Sequence, residues 1–72
     1  MGKFLVMKKV IDCISKIYFD YRISSIDIKE DIIRVIFDKT NLKNGYDIVF
    51  DILEEYGHNV TKRNGDLYIN IL

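Results

Sequence analysis

The sequence predicts an α+β domain in which a helix followed by a β-hairpin occurs twice, in the order αββαββ. Three observations support this: helically spaced apolar residues open each half of the chain, alternating apolar residues follow them, and an Asn-Gly pair marks a late tight turn. We expect one four-stranded, mainly antiparallel sheet with both helices on one face. A length of 72 residues predicts a single small domain spanning 1–72.

The first helix is predicted over residues 4–20. Apolar side chains, among them Val10 and Ile14, recur there at spacings of three and four, with lysines and aspartates on the opposite side. An alternative interpretation makes Lys3–Met7 a strand and begins the helix near Lys8. The single helix is favoured because no turn residue separates the two pieces.

A β-hairpin is predicted next, over residues 22–28 and 32–38. Ile26 and Ile28 alternate with polar residues in its first strand, and the second strand alternates in the same way. The connection over residues 29–31 is short and polar, which is typical of a hairpin turn.

The second helix is marked at both ends. Asn44 and Asp47 resemble a capping box, although Thr40 or Asn41 could cap the helix one turn earlier. Gly57 supplies the left-handed residue expected just after a helix. Apolar residues step along this stretch by four and three: Leu42, Tyr46, Val49, Leu53 and Tyr56.

The last hairpin is predicted around Asn64-Gly65, the preferred pair for a two-residue type I′ turn. Apolar residues alternate after the turn. Together the six elements predict a core made of Val10, Ile14, Ile17, Ile26, Ile28, Ile33, Val35, Phe37, Val49, Leu53, Val60, Leu67, Ile69 and Ile71.

The sheet face without helices, called here the open sheet face, is predicted to be a mixed surface. Tyrosine, arginine and isoleucine among polar residues are typical of a protein interface, and the partner-contacting candidates are Ile32, Arg34, Ile36, Arg63, Tyr68 and Leu72. Alternatively, Tyr68 could stack on an RNA base while the two arginines hold phosphates, or the exposure could be ordinary and scattered. Alternation also places Ser25, Asp27, Thr61 and Asn70 on this face.

An acidic strip follows the second helix. Its members are Asp47, Asp51, Glu54 and Glu55, against one lysine, Lys43. The spacing places these carboxylates on one side of the helix, where like charges repel, and the last two lie where the helix dipole disfavours anions. A solvated face is the plain interpretation. The functional interpretation is a docking strip for a basic groove on a partner.

Composition narrows the function classes. The net charge is zero, which makes nucleic acid an unlikely partner and disfavours binding to acidic membranes. The apolar share of 49% is more than one small domain can hide, so we expect self-association, for example as a homodimer, or a dedicated partner. The apolar run before Lys8 is too short for a signal peptide or membrane span, which predicts a cytoplasmic protein.

Motifs for catalysis are missing from the sequence. With one cysteine and one histidine, no intrachain disulfide can form, and a His/Cys zinc site would need ligands from another chain. Cys13 is predicted to be a packed thiol and His58 a loop histidine. Because there is also no Gly-rich phosphate loop and no Ser/His/Asp set, we expect no enzyme activity, no metal and no cofactor.

The leading functional prediction is therefore a non-enzymatic module that binds another protein through the acidic strip or the open sheet face. By analogy alone, an inhibitor encoded by a phage or other mobile element would suit the small size and AT-rich residue usage. The alternative is a small nucleic-acid-binding or regulatory domain that uses Arg34, Arg63 and Tyr68 on the sheet face.

Overall fold

The predicted αββαββ order is confirmed by the structure, a computed structural model that describes residues 2–40 and 44–71. Two helices and one four-stranded antiparallel sheet make up an α+β fold. The elements are α1 (Gly2–Ile17), β1 (Ile23–Lys29), β2 (Ile32–Phe37), α2 (Tyr46–Glu55), β3 (Asn59–Arg63) and β4 (Asp66–Asn70).

Helix α1 begins at Gly2, so the alternative strand over Lys3–Met7 is wrong. It ends at Ile17, three residues earlier than predicted, and a turn follows. Arg22 adopts a left-handed backbone conformation, with φ of 60°, at the entry to β1. The hydroxyl of Tyr18 donates a hydrogen bond to the Ser24 carbonyl at 2.7 Å, which ties the end of α1 to the first strand.

The sheet has the strand order β1-β2-β4-β3, and all neighbouring strands are antiparallel. Each hairpin forms one half, and the pairing of β2 with β4 joins the halves at the centre. In that central pair Ile33 lies opposite Ile69 and Val35 opposite Leu67. One side of these central strands is therefore apolar, and both helices pack against it.

The core is formed by the helix-facing side of the sheet and one side of each helix. Val10 and Ile14 of α1 and Val49 and Leu53 of α2 are fully buried. All the predicted core residues but four are confirmed as buried; Ile17, Ile26 and Val60 are half-buried at its margin.

Ile28 was wrongly assigned to the core, because 47% of it is exposed. It lies on β1, an edge strand that has a neighbour on one side only. Ile23 takes a core position instead and is 6% exposed. A register irregularity between Ile23 and Ser25 adds one residue to the strand and puts Ile23 on the same face as Ile26.

The turn after β3 has the predicted backbone, with φ of 53° at Asn64 and 80° at Gly65. Gly57, with φ of 85°, confirms the left-handed stop after α2. The capping box is wrong: Gly45 is the N-cap, without a side-chain cap, and Asp47 bonds to a lysine on β3 instead. Asn44 accepts a hydrogen bond from the Tyr46 backbone N–H at 3.2 Å.

Leu42, predicted to continue the apolar side of the second helix, and the candidate cap Asn41 lie outside the described residues, as does Leu72. Among the helices of the described part, none combines the length and apolarity needed to cross a membrane.

Candidate functional site

The acidic strip lies on the outward side of α2, because Val49 and Leu53 turn the opposite side of the helix into the core. Asp51, Glu54 and Glu55 are exposed, and within residues 2–40 and 44–71 none of them makes an ion pair. These three carboxylates therefore leave α2 with an unbalanced negative surface.

Asp47 differs from the rest of the strip because it already has a partner. Its Oδ1 accepts a hydrogen bond from Lys62 Nζ at 2.9 Å. The Lys62 ammonium also lies 4.6 Å from the Phe50 ring centroid and 5.5 Å from that of Tyr46. The hydrogen bond to Asp47 raises the pKa of Lys62. Lys62 was not a sequence candidate, and it neutralises the first carboxylate of the strip.

An exposed isoleucine borders the strip. Ile48 is 50% exposed and lies one turn before Asp51 and two turns before Glu55. Ile48 was not predicted as a site residue, because it falls outside the four-and-three spacing of the buried residues. Because Ile48 is exposed next to unpaired carboxylates, the outward side of α2 presents an apolar side chain as well as negative charge.

The open sheet face brings most of its predicted residues together. Strand register places Arg34 opposite Tyr68, and the guanidinium carbon lies 5.5 Å from the centroid of the Tyr68 ring. Ile32 is 42% exposed and Ile36 is half-buried on the same side of β2. Arg63 lies on the edge strand β3, where its cross-strand neighbour is Asp66. The predicted cluster therefore exists as Ile32, Arg34, Ile36 and Tyr68.

A buried carboxylate on this face was missed by sequence reasoning. Asp66 is 1% exposed, and its Oδ2 accepts hydrogen bonds from Arg34 Nε at 3.1 Å and Nη2 at 2.7 Å. Its Oδ1 accepts one from Lys39 Nζ at 2.5 Å. Burial by itself would raise the pKa of Asp66, but the hydrogen bonds from Lys39 and Arg34 outweigh burial and lower it.

This arrangement weakens the nucleic-acid interpretation. A phosphate-binding arginine needs free donors, and Arg34 commits both Nε and Nη2 to Asp66. The single charge of Asp66 is shared between Arg34 and Lys39. No local sequence signal could have revealed this, because Arg34 and Asp66 are 32 positions apart.

A groove between α1 and the end of α2 collects further polar side chains. It encloses about 460 Å³ and is lined by Lys9, Asp12, Cys13, Lys16, Tyr56 and His58. The chain's single cysteine and single histidine thus face one cavity, which their distance in sequence concealed. Tyr56, predicted on the apolar side of its helix, is 69% exposed.

The pKa shifts in the groove do not suit cysteine catalysis. Burial raises the pKa of the Cys13 thiol, and Lys16 offsets this only partly. Burial, together with the charge of Lys9, lowers the pKa of His58. A catalytic thiolate–imidazolium pair requires the opposite shifts, a lowered thiol pKa and a charged imidazole.

Metal binding finds no support in the described ranges, 2–40 and 44–71, where no group of three or more His, Cys, Asp or Glu side chains could hold an ion.

No protein family, no curated protein and no solved structure matches the chain.

Proposed function

We propose that the protein is a non-enzymatic binding module that docks on a basic surface of another protein through the acidic strip of α2. The observation that carries this proposal is the exposure of Asp51, Glu54 and Glu55, with no ion pair among the described residues, in the second half of the helix.

The acidic strip destabilises the folded chain. Carboxylates one turn apart repel each other by a few tenths of a kcal/mol, and the C-terminal end of a helix disfavours anions by about 0.3–1 kcal/mol. The last turn of α2 contains no basic residue to offset this. A partner with lysines or arginines would remove both costs on binding, so the strip gains its favourable contacts only in a complex.

Ile48 supplies the apolar contact that a stable complex needs. Charged rims speed association and select the partner, whereas desolvated apolar groups contribute most to affinity. A basic groove with an apolar floor is the surface that the strip and Ile48 complement. A cytoplasmic inhibitor that covers such a groove, including one that otherwise holds nucleic acid, is the role this proposal implies.

The partner can be found with a photo-crosslinking residue in place of Ile48, next to the strip. The same residue in place of Ser25, on the open sheet face, serves as the matched control. We expect capture from the source cell at position 48 and not at position 25. Capture at position 25 alone would contradict docking through α2 and favour the open sheet face.

The captured protein is then purified and titrated calorimetrically with the native chain and with charge-reversed variants. Asp51→Lys with Glu55→Lys should weaken binding by about 1–3 kcal/mol per charge, and binding should depend steeply on salt. Asp20→Lys with Glu30→Lys makes the same change in net charge at exposed sites away from α2 and should bind normally. Equal affinity of the strip variant, once its thermal melt shows that it is folded, would overturn the proposal.

A further inference from the structure

We propose that the groove between α1 and the end of α2 binds a small organic anion that carries a planar ring, of about the size of a nucleoside monophosphate. Its volume of about 460 Å³ lies within the range of small-molecule sites. The site shares no residue with the acidic strip, so it goes beyond the docking function proposed above.

The α1 wall of the groove supplies cations. Lys9, Cys13 and Lys16 follow one another at spacings of four and three, which places them on one side of the helix. Both lysines are exposed, and within the described residues neither makes an ion pair. Two free ammonium groups along one wall are suited to a phosphate or carboxylate.

Asp12 weakens the attraction of the groove for an anion. It also lines the groove, between the two lysines in sequence, and its carboxylate opposes an anion. With His58 neutral, two lysines and one aspartate leave the lining with a single net positive charge. This lining attracts an anion, whereas Glu55 and the C-terminal end of α2, next to Tyr56, oppose one. Removal of the Asp12 charge should therefore strengthen binding.

The opposite wall supplies a ring. Tyr56 lies at the C-terminal end of α2, lines the groove, and is 69% exposed. An aromatic ring so open to solvent gains contact when a planar group stacks on it. An anion with a ring attached would therefore contact both walls, whereas free phosphate would reach only the lysines.

His58 also lines the groove, so its pKa should change when an anion binds there. The titratable groups that share its groove are Lys9, Asp12, Cys13 and Lys16 from α1 and Tyr56 from the end of α2. Burial and the nearby Lys9 charge lower the pKa of His58. A bound anion would counter the Lys9 charge and raise this pKa, so affinity should rise as the pH falls through it.

The experiment follows the His58 imidazole signals by NMR, since the chain has one histidine and the signals need no assignment by mutation. The probes are adenosine monophosphate, benzoate, inorganic phosphate and adenosine. We expect saturable shifts with the first two at millimolar concentration or below, a raised pKa of His58, and about fivefold or more weaker binding of phosphate and of adenosine.

Matched variants separate a binding site from general charge attraction. Lys9→Ala and Lys16→Ala should each weaken adenosine monophosphate binding by about fivefold, and Asp12→Asn should strengthen it by a similar factor. Lys8→Ala removes an exposed lysine of α1 that does not line the groove and should change nothing. Tyr56→Leu should reduce the affinity to that of phosphate.

Two results would overturn the proposal. One is the absence of any saturable His58 shift with adenosine monophosphate and benzoate up to about 10 mM, an affinity too weak to count as a site. The other is an equal loss in the Lys8→Ala and Lys9→Ala variants, which would show attraction to the helix as a whole.

Discussion

Arg34 on β2 binds Asp66 on β4 through two hydrogen bonds to a single carboxylate oxygen, at 3.1 and 2.7 Å. Lys39 binds the other oxygen at 2.5 Å, so both oxygens of this buried group have cationic partners. A buried carboxylate without partners would be strongly destabilising. The two cations remain partly exposed, at 41% and 51% of their side chains, and so keep much of their hydration.

Stability should fall in acid as Asp66 becomes protonated. Its pKa in the folded chain lies below the ordinary value of about 3.9, so its contribution is complete above that pH and is lost as the pH falls through the lower, folded value. Urea unfolding from pH 6 downward should show this decline below about pH 4.

The variant Asp66→Asn should be less stable near neutral pH by about 1–3 kcal/mol, because Arg34 and Lys39 lose a charged acceptor but can turn to water. It should also show a shallower decline in acid than the native chain. Asp38, whose pKa is lowered by hydrogen bonds from Thr40, still titrates in the variant and accounts for a remaining slope. Identical acid profiles of variant and native chain would rule out Asp66 as the cause.

Gly45→Ala should destabilise the fold by about 2 kcal/mol or more, because the added methyl group would overlap the Cβ and ring atoms of Tyr21. The Cβ atom of Tyr21 cannot swing away, and the Gly45 N–H donates to the Tyr21 carbonyl at 2.8 Å, which holds the two backbones together. Gly2→Ala, where an added methyl meets nothing within 4 Å, is the control and should be neutral. Chemical denaturation of both variants makes the comparison, and equal stabilities would contradict it.

Lys62→Met should lower the melting temperature by about 2–4 °C. The methionine keeps the apolar stem over Phe50 and Tyr46 but loses the ammonium that lies near both rings and binds Asp47. Lys8→Met, at an exposed position of α1, is the matched control. Thermal melts that fall equally for both variants would show that charge alone, and not the contacts of Lys62, is responsible.

We expect the chain to self-associate at micromolar concentrations through the open sheet face, where Ile32 is 42% exposed and Ile36 lies on the same side of β2. Ile36→Lys should weaken the association, because it places a charge in the apolar part of that face. Ile28→Lys, on the helix-facing side of edge strand β1, is a control of equal chemistry. A native chain that sediments as a strict monomer up to about 1 mM would disprove the expectation.

Much of the fold could be predicted because its signals are local. Helical spacing in α1 and α2 and the Asn64-Gly65 turn each depend on residues a few positions apart. Local spacing could not predict that Ile23, and not Ile28, lies in the core. It depends on an irregularity in β1 and on the position of that strand at the sheet edge, which only the assembled sheet defines.

The candidate sites were harder to predict for the same reason. The acidic strip could be predicted, because one helix carries all of it. Other features depend on residues from separate elements: the hydrogen bond between Lys62 and Asp47, the ion pairs of the buried Asp66, and the placement of Cys13 and His58 in one groove. Contacts between residues far apart in sequence produce no periodic pattern, so composition and spacing cannot predict them.

The central β2–β4 pairing also bears on how fast the chain can fold. The two hairpins close over a few residues, whereas Arg34 and Asp66, neighbours across the central pair, are 32 positions apart. Closure of that long loop carries an entropic cost that precedes any gain from the core, so it should dominate the barrier. Truncation of Ile33 or Ile69 should then slow folding, while changes at the Asn64-Gly65 turn that leave the ladder intact should act mainly on the unfolding rate.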